Sequence, residues 1–253
     1  MTGSNTSANT MNGISAVDAE NTLTAVRDAT AVVIGVVERF GEADFTTPSL
    51  LPGWSRGHVV SHLARNADAL VNLLSWARTG IEHPAYPSRV DREAGINSGA
   101  DRLGQVQRED LVAASGRFLV EAARLSESDW AALVQHPSGH PMAAAEIPST
   151  RLFEVWTHLV DLDAGVGFDA VVPGHFDALL DRAVRPYLRR TDGTAVRVHA
   201  ELPDGSQREW DLAVGTEADT VLRGPASAVL AWLTGRPGSS ALDGTPPDLG
   251  AWG

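Results

Sequence analysis

The run Arg151-Leu152-Phe153-Glu154-Val155-Trp156-Thr157-His158-Leu159-Val160-Asp161 constrains the fold more than any other stretch of the chain. At about 100° per residue, Glu154 and His158 lie one turn apart on one helix face, with Arg151 and Asp161 flanking them on the same side. Four ionisable groups therefore share one stripe of a helix that is otherwise strongly apolar. Such a helix packs into a core, and charges carried into a core must be paired or must bind a cation. A Glu and a His one turn apart can grip one metal ion, a known use of bundle interiors. Taken alone, though, Glu-x-x-x-His is a weak motif and reads more simply as a solvated charged stripe.

An earlier segment shifts that balance. In GHVVSHLARNADAL, His58 and His62 are also four apart, and Val59, Val60, Leu63 and Leu70 mark a largely buried helix. A buried histidine is more often a hydrogen-bonded core residue than a ligand. Yet His62 on one helix plus Glu154 and His158 on another make a His2Glu set. Such a set leaves a fourth position for water or substrate, as catalytic zinc requires. The chain has no cysteine, which excludes disulfides, a cysteine nucleophile and thiolate metal ligands. Any thiol chemistry must then use the thiol of a cofactor.

The 253 residues suffice for one large domain or two ordinary ones. Residues 1–13 read as a disordered tail. Residues 15–41 read as a helix, with Leu23, Val26, Val33, Val37 and Phe40 on one face. A Pro- and Gly-punctuated connection over residues 46–54 leads to Ser55, a suitable N-cap for a second helix running to about Thr79, with Gly80 at its end. Residues 81–100, with Pro84, Pro87, Gly95 and Gly99, read as a long loop. A third helix is expected over 102–125, then a turn at HPSGHP between two short strands within 130–146. Pro148 suits the first turn of a fourth helix reaching about Val166.

After Gly167 the texture changes. A helix is expected over 173–190, followed by AVRVHAEL and QREWDLAV as a hairpin about PDGS. DTVLRG makes a third extended piece, and a helix follows at 225–235. Four helices and then a mixed segment predict a helical bundle over 14–168 and a smaller domain over 169–253. Trp54, Trp76, Trp130 and Trp156 read as core, and His136, His140, His175 and His199 show no convergent spacing.

The formal net charge of −12, with no basic run, argues against nucleic acid and against a membrane surface. No apolar run approaches the roughly 18 residues that a membrane span needs, and the start lacks the features of a secretory signal. A cytoplasmic location is the expectation.

At these residues the sequence resembles a known family. LLPGWSRGHVVSHLARNADALVNLLSWARTGIEHPAY, the later RLFEVWTHLVDL, and LTGR near the C-terminus are similar to the mycothiol-dependent maleylpyruvate isomerases, among the DinB-like metal-binding bundles of actinobacteria. The likeness runs from about residue 20 to 240, in order and with similar spacing. It implies an α+β fold: an up-and-down four-helix bundle with a smaller C-terminal α/β domain like sterol-carrier domains. It implies zinc on His62, Glu154 and His158, with His58 structural or behind the ligands. The implied cofactors are zinc and mycothiol, a low-molecular-weight thiol. The implied reaction takes maleylpyruvate, a small anion, to fumarylpyruvate. A thiolate adds to the cis double bond, the bond rotates, and elimination leaves the trans isomer. A monomer or weak homodimer is expected.

The resemblance also marks arginines, whose planar forks suit carboxylates. Arg236, in LTGR, matches an arginine the family uses for activity, and is expected to serve both the chemistry and the cofactor. Arg92 matches a family arginine in the loop after the second helix. Arg151 faces the metal stripe one turn before Glu154. For each, a surface salt bridge or a helix-end charge is the plainer alternative. Asn66, one turn after His62, is a candidate cofactor contact, and Asp161 a candidate partner behind the ligands. Phe153 stands where family members often carry a second arginine, which puts the anion site in question. Two alternatives therefore stay open: a mycothiol S-transferase for another electrophile, and a non-catalytic metal or small-molecule binding protein.

Overall fold

The structure is a computed structural model and describes residues 14–188, 195–212 and 220–249. The tail expected at residues 1–13 lies outside the described residues. Helix α1 (Ala16–Val37) opens on a reciprocal cap: the Ser15 hydroxyl accepts from the Asp18 N–H, and the Asp18 carboxylate accepts from the Ser15 N–H. Helix α2 (Arg56–Thr79) starts at Ser55 and stops at Gly80, whose φ of 70° is the left-handed turn that glycine adopts without strain.

Residues 81–100 are not one long loop. Helix α3 (Arg89–Ala100) occupies their second half, started by Ser88, whose hydroxyl accepts from the Asp91 N–H. Gly95 and Gly99 read as helix breakers, but Gly99 is a point of close approach. A Cβ there would lie 2.1 Å from the Ser61 hydroxyl of α2, and that hydroxyl donates to the Ile96 carbonyl at 2.8 Å. Glycine lets α3 lie directly on α2, so Arg92 sits on a helix rather than in a loop.

Helix α4 (Gly104–Ala122) is followed by a four-residue helix α5 (Glu127–Trp130), then strands β1 (Leu133–Gln135) and β2 (Pro141–Ala143), paired antiparallel about the HPSGHP turn. Helix α6 (Ile147–Asp161) carries the ionisable stripe and ends about a turn earlier than the expected Val166. The cause is local. Asp163 takes a φ of 49°, which turns the chain, and Arg56 donates from Nε to the Leu162 carbonyl at 2.7 Å and from its other nitrogen to that of Asp163.

Helices α1, α2, α4 and α6 form the bundle. α2 packs on α4 and α6, and α1 closes against α6. Trp130, Phe118 and Trp156 are among its largest fully buried side chains. Beyond it, helix α7 (Phe176–Leu188) precedes strands β3 (Val196–Glu201), β4 (Gln207–Asp211) and β5 (Thr220–Pro225) and helix α8 (Ala226–Thr234). The sheet order is β4-β3-β5, with β3 antiparallel to β4 and parallel to β5. Val196, Val198 and Ala200 of β3 point inward at the period of two, where α8 covers the sheet and packs on α7.

The fold is thus α+β, an N-terminal helical bundle with a smaller C-terminal α/β subdomain. Two contacts set α7 antiparallel to α6. The Trp156 indole donates to Nδ1 of His175, just before α7, and Arg185 near its end donates to Glu146 at the start of α6. Among the described residues no helix is long and apolar enough to cross a membrane.

Candidate metal centre

The faces of α2 and α6 meet at three side chains. His62 Nε2 lies 2.9 Å from Glu154 Oε2, and His158 Nε2 lies 3.5 Å from the same oxygen. One ligand atom from each of the three falls within 4.8 Å of the others. Two ligands about 2.05 Å from a tetrahedral zinc stand roughly 3.3 Å apart, so the observed spacings fit one such ion with small side-chain movement. The Glu154 side chain keeps 24% of its exposure against 4% for His62. The cluster is therefore open on its carboxylate side, where a further ligand could enter.

The electrostatics of His62 and Glu154 also suit a cation. Burial pushes His62 down to about 4, with His158 adding to the effect, so its imidazole is neutral and has a lone pair to give. Burial alone would raise Glu154, but hydrogen bonds from His158 and His62 outweigh it and hold its carboxyl well below the usual range. Burial would lower His158, but its hydrogen bonds to Asp161 and Glu154 raise it.

A second layer holds the first. His158 Nδ1 lies 2.9 Å from Asp161 Oδ2. Asp161 is fully buried and accepts from Arg236 at both oxygens, 3.1 Å from Nε and 3.0 Å from the other nitrogen. Arg236 also donates to the Thr234 carbonyl at 2.5 Å, which fixes it to the end of α8. A carboxylate behind a ligating histidine sets the ring's tautomer and orientation. Here that carboxylate is anchored by the C-terminal subdomain.

The other candidates take different positions. Arg151 is fully buried; it donates to the Leu63 carbonyl at 2.8 Å, to Asn66 Oδ1 at 2.9 Å and to Ser115 at 3.3 Å. Burial lowers it to about 10, still charged at neutral pH, with Glu154 counteracting. Its guanidinium thus ties α6 to α2 and α4 inside the bundle. Asn66 turns its carbonyl to Arg151. Arg92 reaches the cluster, with one nitrogen 3.5 Å from His62 Nδ1. His58 turns back to cap its own helix, its Nδ1 2.8 Å from the Ser55 hydroxyl, and its ring stacks on Trp54.

Three residues near the cluster escaped the sequence reading. Arg182, half-buried on α7, lies within electrostatic reach of Glu154 and has no hydrogen-bond or ion-pair partner among the described residues. His136, on the β1–β2 turn, is pushed down to about 4 by burial and by His140, and also feels Glu154 and Arg182. Tyr86, just before α3, has a buried hydroxyl without a partner. No spacing rule links a turn, a loop and a helix of the other subdomain, so periodicity could not have found them.

Comparison with known proteins agrees with this picture. Residues 26–163 match the family described as the mycothiol maleylpyruvate isomerase N-terminal domain. A solved structure described as the mycothiol-dependent maleylpyruvate isomerase is 28% identical, with 92% of this chain and 97% of that chain covered and a TM-score of 0.82. A mutant of that enzyme with one histidine changed to alanine is 27% identical, with the same coverage and TM-score. Among curated proteins none matches.

Proposed function

This chain belongs to the family of the mycothiol maleylpyruvate isomerase N-terminal domain, and from that premise we propose that it is a zinc- and mycothiol-dependent cis–trans isomerase converting maleylpyruvate to fumarylpyruvate. The observation that carries the reading is the set of three ligand atoms within 4.8 Å, backed by Asp161 behind His158. His62, Glu154 and His158 would hold the zinc, whose Lewis acidity would lower the pKa of a bound thiol so that it loses its proton to solvent at neutral pH. Mycothiol supplies that thiol, since the chain has no cysteine of its own.

The rest falls to the chain's own side chains. Asp161 keeps the His158 proton on Nδ1, which leaves Nε2 facing the ligand position. Arg236 holds Asp161 in that orientation and joins the C-terminal subdomain to the chemistry. Arg92 and Arg182 are forks for the carboxylates of an anionic substrate. Arg151 ties α2 and α6, the two helices that carry the ligands, to each other and to α4. Asn66 keeps its amide N–H groups for a cofactor oxygen.

One observation favours a second reading. Phe153 is buried in the core immediately before Glu154 and brings no cation there. A site with fewer carboxylate forks suits a mycothiol S-transferase acting on another electrophile. An absorbance assay with purified protein separates the two. The isomerase reading expects maleylpyruvate to be consumed only when mycothiol is added. Turnover without thiol contradicts it, and stable mycothiol adducts without isomerisation support the transferase.

A further inference from the structure

Tyr86 presents a polar group that the fold leaves unpaired. Its hydroxyl is buried and has no hydrogen-bond partner. Removing a phenol O–H from water without replacing its hydrogen bond is unfavourable, and such groups in native proteins call for a reason. Phenylalanine would fill the same space without that cost.

The surroundings indicate the reason. Arg92 sets its guanidinium over the Tyr86 ring, 5.9 Å from the centroid, near enough to the hydroxyl to act on it electrostatically but without a hydrogen bond of ordinary geometry. The same guanidinium reaches to 3.5 Å from His62 Nδ1. Glu154 and Arg151 also lie within electrostatic reach of the phenol. The hydroxyl therefore belongs to the wall of the metal cluster, beside a cation. Burial raises its pKa, so it keeps its proton at neutral pH and has a hydrogen to donate.

We propose that Tyr86 is a substrate-binding residue whose hydroxyl, with the Arg92 fork, donates to a carboxylate of an acidic reactant seated beside His62 and Glu154. A carboxylate matches this pair because it can accept from a planar fork and still offer a lone pair to a third donor. The inference deepens the isomerase reading, because it names how one acidic end of that substrate is held.

The test uses the zinc-loaded full chain and its Tyr86→Phe variant. Maleate, a cis-dicarboxylate, is titrated calorimetrically into both, and both are melted without ligand. The expected result is maleate affinity lower by roughly 10- to 100-fold in the variant, as for loss of a hydrogen bond to a charged group. Zinc content should be unchanged, and the melting temperature equal or higher because no unpaired donor remains. Equal maleate affinity in the two proteins overturns the inference, as does a parent that binds no maleate. Lost affinity together with a lowered melting temperature also overturns it, because the hydroxyl is then structural. Thiol-dependent turnover by the parent is scored separately: its absence removes the isomerase reading and leaves the carboxylate site standing.

Discussion

Asp161 accepts from both sides of the Arg236 fork, at 3.0 and 3.1 Å, and so couples the end of α8 to the helix that carries Glu154 and His158. Asp161 Oδ2 also lies 2.9 Å from His158 Nδ1, so the pair forms a continuous link from the C-terminal subdomain to the candidate ligands. Removing the arginine should loosen the ligand rather than remove it. Arg236→Ala should keep nearly its full zinc, while thiol-dependent isomerisation falls about 10- to 100-fold, the usual cost of losing a group behind a metal ligand. Metal analysis and initial rates on the same preparation check this. An unchanged rate would take Arg236 out of the site.

Gly99 tests how closely α3 must lie on α2. A Cβ at this position meets the Ser61 hydroxyl at 2.1 Å and the Ser61 Cβ at 3.0 Å. Gly99→Ala should cost about 1–3 kcal/mol of stability by overpacking, measured by urea unfolding. Removing the hydroxyl with Ser61→Ala should recover part of that loss in the double variant. Additive losses would show that the two residues do not press on each other.

Glu121 gives a pH-dependent prediction away from the metal. It is buried and accepts from Ser75 at 3.0 Å, Arg78 at 2.9 Å and Arg124 at 3.0 Å. Burial alone would raise its pKa, but these hydrogen bonds outweigh burial and bring it below the ordinary 4.5. A carboxylate with a depressed folded pKa stabilises the protein above its unfolded pKa, and that contribution is lost as pH falls through the folded value. Glu121→Gln should therefore lower stability by roughly 1–3 kcal/mol at pH 7. The gap from the parent should stay constant down to about pH 5 and then shrink toward lower pH. A gap independent of pH down to acid would contradict the assignment.

What the sequence made legible follows from periodicity. Glu154 and His158 could be placed on one face because a helix repeats every 3.6 residues. The hairpin about PDGS could be read because alternation marks strands. Residue type could offer His62 as the third member of the set, and the family resemblance strengthened that choice, since nothing local says which helices lie side by side. The helix at Arg89–Ala100 was hidden by Gly99, where glycine marks a close contact with Ser61 and not a break. The early end of α6 was hidden because a non-glycine residue, Asp163, takes the left-handed turn. Arg182 and Tyr86 could not be ranked at all, because their meaning comes from what the chain leaves unpaired around Glu154.

Metal stoichiometry in four proteins tests the central claim most directly. The parent should bind about one zinc per chain, and His62→Ala, Glu154→Ala and His158→Ala should each lose most of it while α-helical content stays near the parent's. Full zinc in all three variants, or none in a folded parent, would contradict the account.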